Sequence, residues 1–420
     1  VRILQTLIAF SGNAPPQLAV THRLVERGHE VRVLAHRVAR ERIESTGAEF
    51  VEFRRSQPDF DMTRRETDSL RDWEARTRFT AGMRSLRNTL FAFVGNVSRE
   101  CMEELEGRPA DAIVFDWMLA GAAIAAERAG LPAIELVHCP YPLPVEGVPP
   151  LFTGSPLRPL EGPLGVARDR LLNRIARRVF DTGLPALNRV RLEHGLAPLA
   201  HWEDQLLGAE AICMMTAPEL DFSSRGELPA NVRYVGPAFE PYEYEWNSPW
   251  PAANTNPLVV VSFSTSYMDQ SALVQRVLDA LDGLAVRALL TAGPALEQSR
   301  LRLPTNARVV DFIPHRAVFP HASLVVSHAG WQTVNAALAD GVPLLCIPDG
   351  RDQPDNAARV VLAGAGLRVD ERTTPRKLRR AIVAALEGSA LKSGAEGIAT
   401  ALARSDGALA VSEQLEQLGR

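Results

Sequence analysis

Lysine is almost missing from this chain. Lys377 and Lys392 are the only two among 46 basic residues, which leaves little room for Schiff-base chemistry. Cysteine is scarce as well: Cys101, Cys139, Cys213 and Cys346 stand far apart. They form no C-x-x-C pair and no zinc spacing, so neither a disulfide framework nor a structural zinc site is expected. They read as reduced, buried thiols of a cytoplasmic protein. Aromatic residues make up 6% and the formal net charge is -4. Neither a stacking platform nor a basic surface for nucleic acid fits those values. No apolar run reaches the length of a membrane span; the longest extends from Trp117 to Ala126. No basic-then-apolar leader stands at the start.

What is present is a folded-protein composition, 46% hydrophobic and 23% charged over 420 residues, enough for two domains. An apolar run from Arg2 to Phe10 is followed by the turn cluster Ser11-Gly12-Asn13-Ala14-Pro15-Pro16. A helical face of Leu18, Thr21, Leu24 and Val25 closes at Gly28, and a second apolar run covers Val31 to Ala35. This is strand, loop, helix, strand, the unit of a parallel sheet. Further strands are expected at Ala112–Phe115, Ala133–Val137 and Ala211–Met215. A second series runs through Leu258–Val261, Arg287–Thr291, Arg308–Phe312, Leu324–Ser327 and Pro343–Ile347. The reading is an α/β protein with two doubly wound, Rossmann-like domains, residues 1–235 and 257–400. A linker rich in Pro, Gly and Asn joins them at 236–256. The proline-rich Cys139 to Pro163 and the charged Arg54 to Phe79 read as lids or binding loops.

The most informative stretch runs from Val325 to Val360. A strand ends at Ser327-His328, Ala329-Gly330 lets the backbone turn, and a helix starts near Trp331. Free N–H groups at such a helix start form an anion site suited to a diphosphate. His328 would stand at its mouth. Asp352-Gln353 follows the next strand at the same sheet edge and offers donors and acceptors for sugar hydroxyls.

This stretch resembles the donor-binding motif of the GT-B glycosyltransferases that decorate natural products. The match rests on His328, Ala329, Gly330, Thr333, Gly341-Val342-Pro343, Asp352-Gln353 and Asn356-Ala357. Gln332 departs from it, standing where the family usually has glycine, so its side chain is expected to crowd or contact the diphosphate. Ser264 and Thr265 resemble the family's strand-end loop facing the phosphates. Phe312 and Ile313 resemble the segment holding the nucleotide base. Arg27-Gly28-His29-Glu30-Val31 and Tyr234-Val235-Gly236-Pro237 extend the likeness over nearly the whole chain. The resemblance implies two domains facing across a cleft, with a C-terminal helix at 401–420 returning to the first. It further implies inverting transfer of a hexose, often deoxygenated, from a dTDP- or UDP-linked donor to a small-molecule aglycone. No metal or other cofactor is implied. The triplet Asp59-Phe60-Asp61 lies in the wrong half of the chain for donor binding. A homodimer is left open.

The acceptor side departs from the pattern. The family usually takes the acceptor's proton with a histidine just after the first strand; Asn13 stands here, and an amide cannot serve. Asp116 matches the aspartate that orients that histidine. Three readings stay open. Asp116 acts as the base, directly or through one water; or the acceptor needs little deprotonation and Asn13 positions it; or the chain is a non-catalytic partner of another transferase. An epimerase of the same architecture is a further rival. Ser11, Gly12, Trp117 and His138 are the acceptor-side candidates. His138 is a spare candidate for the missing base, with an ordinary polar residue under the proline-rich loop the plainer reading.

Overall fold

The computed structural model describes residues 1–9, 12–56, 61–68, 70–151 and 157–418, without the side chains of Arg78 and Phe79. Among the described residues, thirteen strands divide into two sheets. The first sheet holds β1 (Arg2–Leu7), β2 (Glu30–Ala35), β3 (Glu49–Glu52), β4 (Ala112–Asp116), β5 (Ala133–Val137), β6 (Ala211–Met214) and β7 (Val232–Tyr234). The second holds β8 (Leu258–Ser262), β9 (Arg287–Thr291), β10 (Ala307–Val310), β11 (Leu324–Ser327), β12 (Leu344–Cys346) and β13 (Gly366–Arg368). The orders are β3-β2-β1-β4-β5-β6-β7 and β10-β9-β8-β11-β12-β13, parallel at each pairing. The two doubly wound domains expected from the sequence are what the chain forms.

Central strands form because their runs are apolar throughout and helices cover both faces. Every residue of β4, β5 and β8 is buried. Two core clusters flank each sheet. One of the first sheet's clusters contains Leu4, Ile113, Phe115 and Val137; the other contains Ile3, Leu18, Val114 and Leu136. The order reverses between β1 and β4 in one sheet and between β8 and β11 in the other. Crevices beyond the carboxyl ends of strands at such switch points are where open α/β sheets bind ligands.

Several boundaries differ from the sequence reading. Strands β3, β7 and β13 were not anticipated; each lies at a sheet edge, is only three or four residues long and is partly exposed. β10 ends at Val310, two residues early, which releases Asp311 and Phe312 into a loop. The C-terminal segment is not one helix from 401. Ser389–Leu402 packs into the second domain through Ala395, Ile398, Ala401 and Leu402. Gly407–Leu418 is a separate helix lying against the helix Ala14–Glu26, with Ala408, Val411 and Leu415 in the first domain's core. The chain crosses itself at Gly236 and Gly407, where a Cβ on Gly407 would sit 2.3 Å from the Gly236 carbonyl oxygen.

The proline-rich segment is not a free lid in its described part. Tyr141, Leu143, Val145, Val148 and Leu151 are buried in the first domain's core. Their apolar side chains make the segment a wall of the domain rather than a flap.

Candidate active site

The carboxyl ends of the two sheets face one cleft of about 810 Å³, within the range of ligand sites. Its second-domain wall is built from the loop after β8, the loop after β10 and the turn from β11 into the helix Trp331–Ala339. Ala329 has φ +68, and a Cβ on Gly330 would lie 2.6 Å from His328 Nε2. Only a residue without a side chain lets the backbone pass His328 there. Asn356 pins the turn, donating from Nδ2 to the Ala329 carbonyl at 3.0 Å and to Asp352 Oδ2 at 2.8 Å. His328, Gly330, Gln332 and Thr333 all line the cleft. Burial, reinforced by the positive field of Arg351, lowers His328 to about 3. At neutral pH it is therefore an uncharged imidazole, able to donate a hydrogen bond but not a full charge.

The other donor-side candidates divide. Ser264 and Thr265 line the cleft, and the Ser264 amide is held by Gln270 Oε1 at 3.1 Å. Phe312 is 67% exposed and meets Tyr242 edge-on at 6.1 Å, so it is no core residue and presents a ring to the cleft. Ile313 is buried beneath it. Asp352 is partly buried and lines the cleft, with its carboxyl raised above the ordinary value by burial. Gln353 is less available than expected. Its Oε1 accepts from the amides of Asp349 and Gly350 at 2.9 and 3.1 Å. That oxygen shapes the loop, and the amide nitrogen donates to Met268 Sδ at 3.3 Å.

Gln332 shows a different contact from the one expected. Its Nε2 crosses the cleft and donates to the His138 carbonyl at 3.2 Å. The residue that replaces the usual glycine ties the two domains together.

On the first-domain wall stand Gly12, Asn13, Trp117, Met118 and His138. Ser11 lies outside the described residues, as do Asp59 and Phe60 of the acidic triplet. Asp61 is engaged by Thr63 and Thr67. Among the described residues no group of three His, Cys, Asp or Glu could hold a metal ion. Asn13 faces the cleft and donates to Met118 Sδ at 3.5 Å. Asp116 is fully buried and does not line the cleft. It accepts from Gln17 Nε2 at 2.6 Å and the Met118 amide at 2.9 Å, and His138 Nε2 lies 3.2 Å from both its oxygens. Asp116 is thus set back from the cleft, whereas its hydrogen-bond partner His138 lines it. His22, by contrast, pairs with Glu26 on the helix surface.

Sequence reasoning missed three contributors. Gln17 sits one helical turn after Asn13, a spacing that could have flagged it. Arg351 bridges Asp72 and Ser266 across the cleft. The helix Arg78–Leu86 and the π-turn Arg87–Phe91 supply Ser85, Leu86, Thr89 and Leu90 to the acceptor wall. Such π-turns gather at functional sites, and no single-sequence signal marks them.

Two α/β domains meet at their switch points across one cleft, with the start of the helix Trp331–Ala339 on one wall and His138, paired with Asp116, on the other. Residues 275–418 match the family described as erythromycin biosynthesis protein CIII-like, C-terminal domain. The chain is 30% identical to the 4'-demethylrebeccamycin synthase of Lentzea aerocolonigenes over 92% of both chains. It is 29% identical to the zeaxanthin glucosyltransferase of Pantoea ananas, over 80% of this chain and 78% of that one. In fold it is similar to the kitacinnamycin glycosyltransferase (TM-score 0.75, 20% identity, 99% and 98% of the two chains). It is also similar to the calicheamicin glycosyltransferase CalG4 (TM-score 0.74, 18% identity, 99% and 98%). The chain belongs to the natural-product-tailoring glycosyltransferases of GT-B fold. Among the described residues no helix is long and apolar enough to cross a membrane.

Proposed function

We propose that this transferase moves a hexose, often deoxygenated, from a dTDP- or UDP-linked donor to a secondary-metabolite aglycone, inverting the anomeric centre without a metal or organic cofactor. The observation that carries the reading is the turn His328-Ala329-Gly330 opening the Trp331 helix directly into the cleft that His138 enters from the other side. The leaving diphosphate would lie at the helix start, where N–H groups, the neutral His328 and Thr333 meet the charge that grows as the sugar departs. Phe312, with Tyr242, would flank the base. Asp352 would take sugar hydroxyls.

On the other wall, Leu86, Leu90, Trp117 and Met118 suit a flat, apolar acceptor. The acceptor would then attack C1 from the face opposite the nucleotide. Support for hexose transfer comes from the glucosyltransferase relative. The similar fold of VinC, crystallised with dTDP, supports a dTDP donor.

Calorimetric titration with dTDP and UDP tests this. The intact chain should bind at least one, and His328→Ala and Thr333→Val should each weaken binding roughly tenfold, the worth of one hydrogen bond. Failure of the intact chain to bind either nucleotide would overturn the reading. Conversion of the donor in the absence of any acceptor would favour an epimerase instead.

A further inference from the structure

Asn13 occupies the place where the resemblance implies a base, and Asp116 is sealed from the cleft. The group that fills the gap comes from another strand. We propose that His138, the residue after β5, is the general base of this transferase and that Asp116 is its positioning residue. The proposal rests on the transferase reading above.

Five observations carry it. His138 lines the cleft although only 4% exposed, so its ring is held by packing. Its Nε2 lies 3.2 Å from both oxygens of Asp116. Asp116 accepts two further hydrogen bonds, from Gln17 and from the Met118 amide, as an ionised carboxylate does. An acceptor on that side requires the proton on Nε2, which leaves the lone pair on Nδ1. Nδ1 makes no hydrogen bond to the described residues. Finally, Gln332 holds the His138 carbonyl, fixing the base segment against the helix whose start faces the leaving group.

The step balances without a co-reactant. The acceptor oxygen attacks C1, forming the glycosidic bond. The bond from C1 to the diphosphate oxygen breaks, and its electron pair leaves on the nucleotide. The acceptor's proton goes to His138 Nδ1, and the imidazolium is stabilised by Asp116. Asp352 of the second domain also acts electrostatically on this ring, with Arg351 beside it.

The test uses the full chain with dTDP- and UDP-glucose as donors and hydroxylated aromatic acceptors of graded acidity. It compares wild type with His138→Ala, His138→Gln and Asp116→Asn. Loss of His138 should lower kcat at least roughly a hundredfold, with nucleotide affinity within about twofold of wild type. The deficit should shrink as the acceptor grows more acidic, and added imidazole should restore part of the rate to His138→Ala. Asp116→Asn should lower kcat while leaving the KM for donor unchanged, because the amide favours the wrong tautomer. His138→Gln preserves bulk and separates loss of the base from loss of the fold. Near-normal turnover in both His138 variants would overturn the proposal. So would a deficit indifferent to acceptor acidity, or a wild type that binds nucleotide yet transfers to no acceptor. Absence of nucleotide binding would instead overturn the transferase reading itself.

Discussion

Two buried side-chain features make residue-scale behaviour measurable. Asp221 and Arg359 are 2% and 3% exposed and lie in different domains; the guanidinium meets Asp221 Oδ1 at 3.1 Å and sits over the Phe222 ring. Asp221→Ala leaves a buried cation and should cost about 3–5 kcal/mol, whereas pairing it with Arg359→Leu should recover much of that. Denaturant titration of both variants checks this. His315 is the second case. Burial lowers it to about 4 from 6.5, and it shares a 3.0 Å hydrogen bond with the Ser262 hydroxyl. The folded state keeps this imidazole neutral while the unfolded chain takes up a proton below pH 6.5. Its contribution is therefore intact above 6.5 and is lost as pH falls towards 4, at up to about 1.4 kcal/mol per unit. Raised carboxyls such as Glu100 and Glu203 act in the opposite direction nearby, so the difference from His315→Gln is the quantity to follow. The variant should gain on wild type as pH falls from 6.5 to 4; a constant difference would contradict the buried, neutral state.

At the scale of elements, the C-terminal helix Gly407–Leu418 is held by its apolar face on the Ala14–Glu26 helix, with Arg23–Asp406 and Arg27–Glu416 at its rim. Its approach depends on the missing side chain at Gly407. Gly407→Val should push the helix off, exposing Leu18 and Leu24, and limited proteolysis should then cleave beyond residue 403 while wild type resists. Protection equal to wild type would show that the crossing tolerates a side chain. The same scale explains what the sequence disclosed. Central strands were legible because burial on both faces writes a continuous apolar run, as in β4 and β8. Edge strands β3 and β13 were not, since one half-exposed side lets Glu and Arg into the run. The donor loop was legible because a turn past His328 demands small residues at fixed spacing. His138 was legible only as a spare candidate; its pairing with Asp116 was not, because β4 and β5 are neighbours in space but Asp116 and His138 are 22 positions apart in sequence. The acceptor wall from Arg78 to Phe91 was hidden for a similar reason: its amphipathic pattern shows a buried face without saying that a cleft lies beneath it.

Across the whole molecule, contacts between the two domains close over part of the cleft. Met62, Asp72 and Trp73 of the first domain meet the loop after β8 and Arg351 across the cleft. The Tyr267 amide donates to the Met62 carbonyl at 2.6 Å, and Trp73 meets Tyr267 edge-on at 5.5 Å. Arg351, held at φ +55, donates to Asp72 Oδ2 at 2.7 Å and to Ser266 Oγ at 2.5 Å. With side-chain exposures of 19% and 6%, Arg351 and Asp72 form a pair screened far less than a surface bridge. Gln332 to His138 across the cleft and the buried Thr216 to Asn335 add two interdomain hydrogen bonds. The expected consequence is that these contacts open before a nucleotide reaches the Trp331 helix, so that they slow its association. Asp72→Ala removes the anchor while leaving the residues around the helix start untouched. It should raise the apparent association rate for dTDP or UDP several-fold and enlarge the radius of gyration of the nucleotide-free protein. Stopped-flow fluorescence and solution scattering measure the two quantities. Wild-type values in both would show that these contacts do not gate the cleft, and that the strained Arg351 backbone serves the loop around Ser266 alone.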